Sequence, residues 1–473
     1  MKFDLGILNA KVVSTAGIYP ANVFCSDGKI SSICALSTTH TADKIVNARG
    51  RYLMPGLIEP HAHLGPFNGL ESDLETETRS ALGGGITTIM NFVTTKGSLK
   101  EEIERQQKAI AQRALTDVGL IGVVMNQRHI EELSACFDLG VISFKHYMSK
   151  PEFEKFLGWT YPDEGQVLES FVQIARHGGM AMVHAENYEI IARKLEEVKS
   201  SGRNDLAAWE EARPWYCEYD HMKTAVLLAS VARVPLYIVH VSIGEFSDVV
   251  KFARARNASL HLETNPAYLY FTNDDLDLGV LGKVNPPIRG KQEREALWGG
   301  IRNGQIDCVG SDHIACNKKI KVGQGDIWSA IPGLHGLEMM LPILLSEGFH
   351  RRAIPLERIV ALTASNSATI QGLQGKGRID IGYDADFCLF DVNKEVKATQ
   401  SMMHDSSDYT LYEGRTFKGW PVMTISSGEI SMEDGNVDRK VGKGKPLRCV
   451  ARIPEISSAN FFGHSQIGFA HSG

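Results

Sequence analysis

The sequence predicts an α/β fold, a (β/α)₈ barrel carrying a small β-sandwich, on three observations. Between about residues 53 and 313, short β-forming runs alternate with amphipathic segments, as in repeated βα units around a parallel sheet. Eight such runs occur, the number that closes a cylinder rather than leaving an open sheet. Both ends of the chain have another texture, of brief strands broken by turns, which suits a separate sheet built from the two termini.

In chain order, Gly6 to Val13, Asn22 to Cys25 and Lys29 to Cys34 read as strands, ending in Gly50-Arg51-Tyr52. The eight barrel runs follow: Leu57 to His63, Gly85 to Phe92, Val118 to Val124, Val141 to Met148, Met180 to His184, Pro235 to Val241, Ser259 to Thr264, and Ile306 to Asp312. Helical periodicity fills the gaps, as in Leu99 to Ala114, Gly165 to His177, Tyr188 to Lys199, Met222 to Val231 and Gln292 to Arg302. The strand texture returns in Ala385 to Asp391 and Val422 to Ser426. Residues 1–52 and 377–432 are therefore expected to form the composite sandwich, 53–376 the barrel, and 433–473 a tail. The tail's Asn460-Phe461-Phe462 is an apolar patch expected to dock on the barrel or on a neighbouring subunit.

A chain of 473 residues exceeds one compact domain, and 43% hydrophobic with 22% charged residues is enough for a large core. The net charge of −6 supplies no basic field for nucleic acid or anionic lipid, so a small neutral or polar substrate is expected. No apolar span approaches the ~20 residues of a membrane helix. Eight scattered cysteines without a Cys-x-x-Cys pair, and an amino terminus without a long apolar stretch, point to a reducing cytoplasm.

Lys145, inside the apolar run Val141-Ile142-Ser143-Phe144-Lys145, is the most informative residue. A buried cation is costly unless its charge is removed. A neutral amine can take up carbon dioxide to give a carbamate, whose two oxygens can bridge metal ions as a carboxylate does. The bland alternative is a lysine that snorkels to the rim or pairs with an acid. Polar residues at the ends of other runs favour the metal reading: His61, His63, His184, His240 and Asp312. Carboxyl ends of barrel strands converge on one face, and His61 and His63, two apart on a strand, point the same way. Each has its own alternative, a core histidine or, for Asp312, a helix N-cap. As a set they offer ligands for two divalent ions, with Asp312 also placed to shuttle a proton during attack on an amide carbon.

In this order, His61-x-His63, Lys145, His184, His240 and Asp312 resemble the amidohydrolase superfamily, in its cyclic-amide branch of hydantoinases, dihydropyrimidinases, allantoinases and dihydroorotases. The resemblance spans nearly the whole chain, and Met54-Pro55-Gly56-Leu57-Ile58-Glu59, Gly84-Gly85-Ile86-Thr87-Thr88, Gly310-Ser311-Asp312-His313 and Gly377-Arg378-Ile379 support it. It implies a binuclear centre, commonly zinc, bridged by an N6-carboxylysine at Lys145. His61, His63 and Asp312 would bind the more buried metal, and His184 and His240 the more exposed one. It also implies a homo-oligomer, tetramer or dimer, and hydrolytic opening of a cyclic amide or imide by metal-activated hydroxide.

Departures from the family pattern bear on the subtype. Dihydroorotases carry an arginine two residues beyond the second histidine, where this chain has Leu64-Gly65. The stretch from Asp312 to Gly333 is most similar to hydantoinases and dihydropyrimidinases, with allantoinase as the alternative. Asn285 falls in the family's substrate-ring loop. Lys150 stands where six-ring enzymes place a tyrosine, so Tyr147 or Lys150 would substitute for it, and the asparagine expected after Ile331-Pro332 is missing around Gly333. Glu59 replaces the family's aspartate. Non-catalytic relatives of this branch lose metal ligands, whereas all six positions are filled here.

Overall fold

Eight strands from the middle of the chain form one sheet and nine from its two ends form another; the computed structural model describes residues 2–148 and 161–451. The chain opens with β1 (Lys2–Ser14), β2 (Gly17–Ser26), β3 (Lys29–Cys34), β4 (Thr41–Asn47) and β5 (Tyr52–Pro55). The second sheet follows as β6 (Leu57–Ala62), β7 (Ile86–Val93), β8 (Asp117–Val123), β9 (Ser143–Met148), β10 (Met180–Ala185), β11 (Leu236–Ile238), β12 (Leu260–Thr264) and β13 (Cys308–Val309). The chain then returns to the first sheet in β14 (Phe387–Lys397), β15 (Thr416–Ser426), β16 (Glu429–Glu433) and β17 (Asn436–Val437).

The parallel ladders run in sequence order from β6 to β13. The ring closes where Ala62 bridges His313, with His63 N donating to His313 O at 2.8 Å and His313 N to His61 O at 3.2 Å. Every residue of β6, β7, β8 and β10 is buried, as expected of strands covered on both faces. Alternation divides them between two apolar clusters. Val118, Leu120, Ala181, Val183, Leu236 and Ile238 pack outward under the helices. Met90, Phe92, Ile121, Val123, Met182, Tyr237 and Val239 fill the interior. Lys145 therefore shares the inward face with Tyr147, while His146 between them turns outward to Ser170 Oγ at 2.8 Å.

The terminal sheet is mixed rather than purely antiparallel, because β1 lies parallel to both β4 and β5. Leu5, Ile7, Val12, Val23, Leu53, Phe387, Leu389 and Ile425 give it a core of its own. β5 crosses the junction expected at residue 52, since Met54 and Leu53 pair with Cys388 and Leu389. Beyond β17 the chain runs along the amino end of the barrel: Val118 N donates to Lys445 O, Leu447 N to Val118 O and Cys449 N to Gly140 O. Cys449 joins Ala368, Ile370 and Leu373 in plugging that end, which leaves the carboxyl end open. The patch at Asn460-Phe461-Phe462 lies outside the described residues.

Candidate metal centre

All six sequence-predicted ligands line one cavity at the carboxyl end of the barrel: His61, His63, Lys145, His184, His240 and Asp312. Tyr147, Asn285, Pro332 and Gly333 line it too, with Tyr161, Leu64, Phe67 and Phe92; Lys150 lies outside the described residues. β11 and β13 are shorter than their apolar runs, so His240 and Asp312 sit just past the ladders. Both have positive φ, 39° and 51°. Non-glycine residues are rare in that region, and such strain persists where surrounding structure imposes it, often at functional sites.

Asp312 Oδ1 lies 3.0 Å from Nε2 of both His61 and His63, and the three residues form a cluster able to hold a metal. On the other side, His184 Nδ1 faces His240 Nε2 at 3.0 Å. The His61 and His240 rings stack with centroids 5.6 Å apart, joining the two halves. Lys145 Nζ lies 5.2 Å from the Phe92 ring centroid and 5.3 Å from that of Tyr147, on the cavity wall between them.

Carboxylates that the sequence reading passed over set the imidazole tautomers. Glu263 Oε1 lies 2.8 Å from His61 Nδ1, and Glu186 Oε2 lies 2.8 Å from His184 Nε2. With those nitrogens carrying the proton, His61 Nε2 and His184 Nδ1 are the ring atoms directed into the cavity, and they become metal donors once deprotonated. Glu263 also accepts from His240 N at 3.1 Å and from the Tyr237 hydroxyl at 2.8 Å. Arg213 Nε donates to Glu186 Oε1 at 3.1 Å. Glu59 accepts from His61 N and Ser311 N, tying β6 to the segment that carries Asp312. A signal for Glu263 was present in the sequence, since it too stands at the end of an apolar run.

The electrostatics fit a site built for cations. Burial disfavours ionised Asp312, but His61 and His63 outweigh it and hold the carboxyl well below its ordinary range. Burial also opposes charge on His61, yet Asp312 and Glu263 raise it to about 9. His240 Nδ1 is buried without a hydrogen-bond partner, a costly arrangement unless another group binds there. Clustered anionic and lone-pair donors of this kind suit divalent ions such as zinc or manganese. Glu263→Gln is expected to keep the fold but weaken metal affinity about 10–100-fold, because an amide cannot accept from all three donors; competition against a chromophoric chelator measures it.

Burial takes the Lys145 ammonium from its ordinary 10.5 down to about 7, against the pull of Asp312 and Glu263. Between those values the unfolded chain holds the proton and the folded chain does not, so the stability of metal-free protein rises with pH. Its melting temperature is expected to climb through this window relative to Lys145→Ala, and a pH-independent difference would contradict the buried amine.

The family model described as "Amidohydrolase family" matches residues 52–431. An L-hydantoinase of Paenarthrobacter aurescens is 31% identical, over 94% of this chain and 97% of its own length. An allantoinase of Rubrobacter xylanophilus is 34% identical, over 92% and 95%. Among solved structures, an L-hydantoinase (dihydropyrimidinase) from Arthrobacter aurescens superposes with a TM-score of 0.88 at 30% identity, covering 94% of this chain and all of that one. A dihydropyrimidinase from Brevibacillus agri gives 0.86 at 28% identity, over 94% and 98%.

Proposed function

Because the chain belongs to the amidohydrolase family, we propose that it is a cyclic amidohydrolase, opening a ring C–N bond of hydantoinase or dihydropyrimidinase type. The convergence of six ligand-type side chains from five barrel strands on one cavity carries this reading. His61, His63 and Asp312 would hold one divalent ion, His184 and His240 a second, and Lys145, as N6-carboxylysine, both. Zinc suits this donor set. When bound, the ions would lower the pKa of a shared water and polarise the scissile carbonyl.

The protein's own groups do the rest. The neutral amine of Lys145 can add to carbon dioxide, forming an N–C bond and releasing one proton, so the buried group changes from neutral to anionic. Asp312, ionised beside the imidazoles, accepts the proton of the attacking water and returns it to the ring nitrogen as the C–N bond breaks. Burial keeps the Tyr147 phenol protonated, so it can donate to a substrate oxygen in place of the family tyrosine. Asn285, Pro332 and Gly333 would hold the ring, and Lys150 would favour an anionic substrate.

The test is a panel of hydantoins, dihydrouracil, allantoin and simple imides, read by loss of ring absorbance or release of the carbamoyl product. Ring opening of at least one class is expected; metal-loaded protein inert toward all of them would refute the reading. Preference for allantoin, favoured by the allantoinase relative at 34% identity, would select the second reading. A homo-oligomer fits exposed Leu227 and Val231, one turn apart on the helix Trp215–Ala232, and light scattering distinguishes tetramer from dimer. No helix among the described residues is long and apolar enough to cross a membrane, and eight unpaired cysteines suit a reducing cytoplasm.

A further inference from the structure

Lys321 is fully buried in the short helix Lys318–Val322, away from the ligand set. Its Nζ donates to three backbone carbonyls: Lys283 O at 2.6 Å, Ile331 O at 2.8 Å and Gly333 O at 2.6 Å. An ammonium has three N–H donors, so these oxygens fill its capacity. Among the described residues no carboxylate pairs with it. A buried lysine without a counter-charge is expensive, and burial lowers its pKa to about 7. An apolar side chain would fill the same space at lower cost, so the donors themselves need an explanation.

The three acceptors come from two segments, and both line the substrate cavity: Val284 and Asn285 in one, Pro332 and Gly333 in the other. The segments also touch directly through Gly333 N to Lys283 O at 3.1 Å, and Ile331 N returns a bond to Lys321 O at 2.9 Å. Gly333 has φ 127°, and a Cβ there would meet Ile314 Cγ2 at 2.5 Å, so this wall is closely fitted. Resting on the cyclic-amide reading, we propose that Lys321 is a positioning residue for substrate: its three hydrogen bonds fix the spacing of the two wall segments that grip the ring. It touches neither substrate nor ligands, so it governs binding of the ring rather than the bond-breaking step.

The experiment compares Lys321→Met with wild type on whichever ring substrate wild type opens. Methionine keeps an unbranched stem of similar length and removes all three donors. The expected result is KM raised about tenfold, the loss of roughly one hydrogen-bond equivalent of ground-state binding. Metal per chain is expected to be unchanged and kcat to stay near wild type. An unchanged KM, or a fall in kcat and metal content without a rise in KM, would overturn the proposal. If the variant does not fold, amide hydrogen exchange of wild type with and without uracil, a planar cyclic imide, takes its place. Residues 283–285 and 331–334 should then slow together, whereas slowing of one segment alone, or of neither, counts against the proposal. Wild type that opens no ring defeats the cyclic-amide reading instead, which keeps the two failures apart.

Discussion

Lys145→Ala is expected to abolish ring opening, by about 10³-fold or more, since loss of the proposed bridging ligand should exceed the about 10–100-fold that supporting residues cost. Metal per chain should fall with it. Lys145 is almost completely buried, with its amine between the Phe92 and Tyr147 rings, and no carboxylate stands between Val141 and Met148 to take its place. Alanine leaves a small void in a polar cavity, and a short carboxylic acid such as acetate or propionate has the size and charge to enter it. Partial recovery of both metal content and turnover with such acids, and none with neutral amides of the same size, is the result that assigns an anionic bridge to this position. Full activity of Lys145→Ala without additive would refute it. Stability separates this from simple misfolding: the variant no longer desolvates an ammonium, so metal-free Lys145→Ala should melt no lower than metal-free wild type at neutral pH.

The barrel was legible in the sequence because its strands are covered on both faces, so each appears as an apolar run and polar residues at the run ends stand out. Lys145, His184 and His61 were found in this way. The orienting carboxylates were harder to see. Glu263 and Glu186 are close in sequence to no ligand or to only one, and their role depends on which ring nitrogen they face, a matter of side-chain geometry. Strand lengths were overstated at β11 and β13 because apolar residues continue past the ladder while the backbone turns to positive φ at His240 and Asp312. The mixed terminal sheet was also hidden, since β1 pairs in parallel with β4 and β5 across intervening chain that carries no helical signal. Lys321 reads in sequence as one more surface lysine in Lys318-Lys319-Ile320-Lys321; only the fold buries it.

Asp312→Asn is the second large expected effect, and it separates holding metal from moving protons. Residue 312 has φ 51°, a conformation asparagine tolerates better than most residues, so the backbone should accept the change. The amide keeps an oxygen near His61 Nε2 and His63 Nε2, where Asp312 Oδ1 now stands at 3.0 Å from each. Much of the metal should therefore remain, measured as ions per chain. Turnover should nevertheless fall about 10²–10⁴-fold, the range for loss of a positioned general acid–base, because a neutral amide can neither take the proton from water nor return it to the ring nitrogen. The pH profile adds an independent reading. In wild type the carboxylate must be ionised to act as base, so activity should be lost as pH falls through its pKa and kcat/KM should show an acid limb. In Asp312→Asn that limb should disappear and the residual rate should rise with hydroxide concentration instead. An acid limb of the same shape and midpoint in the variant would assign the proton transfer to another group.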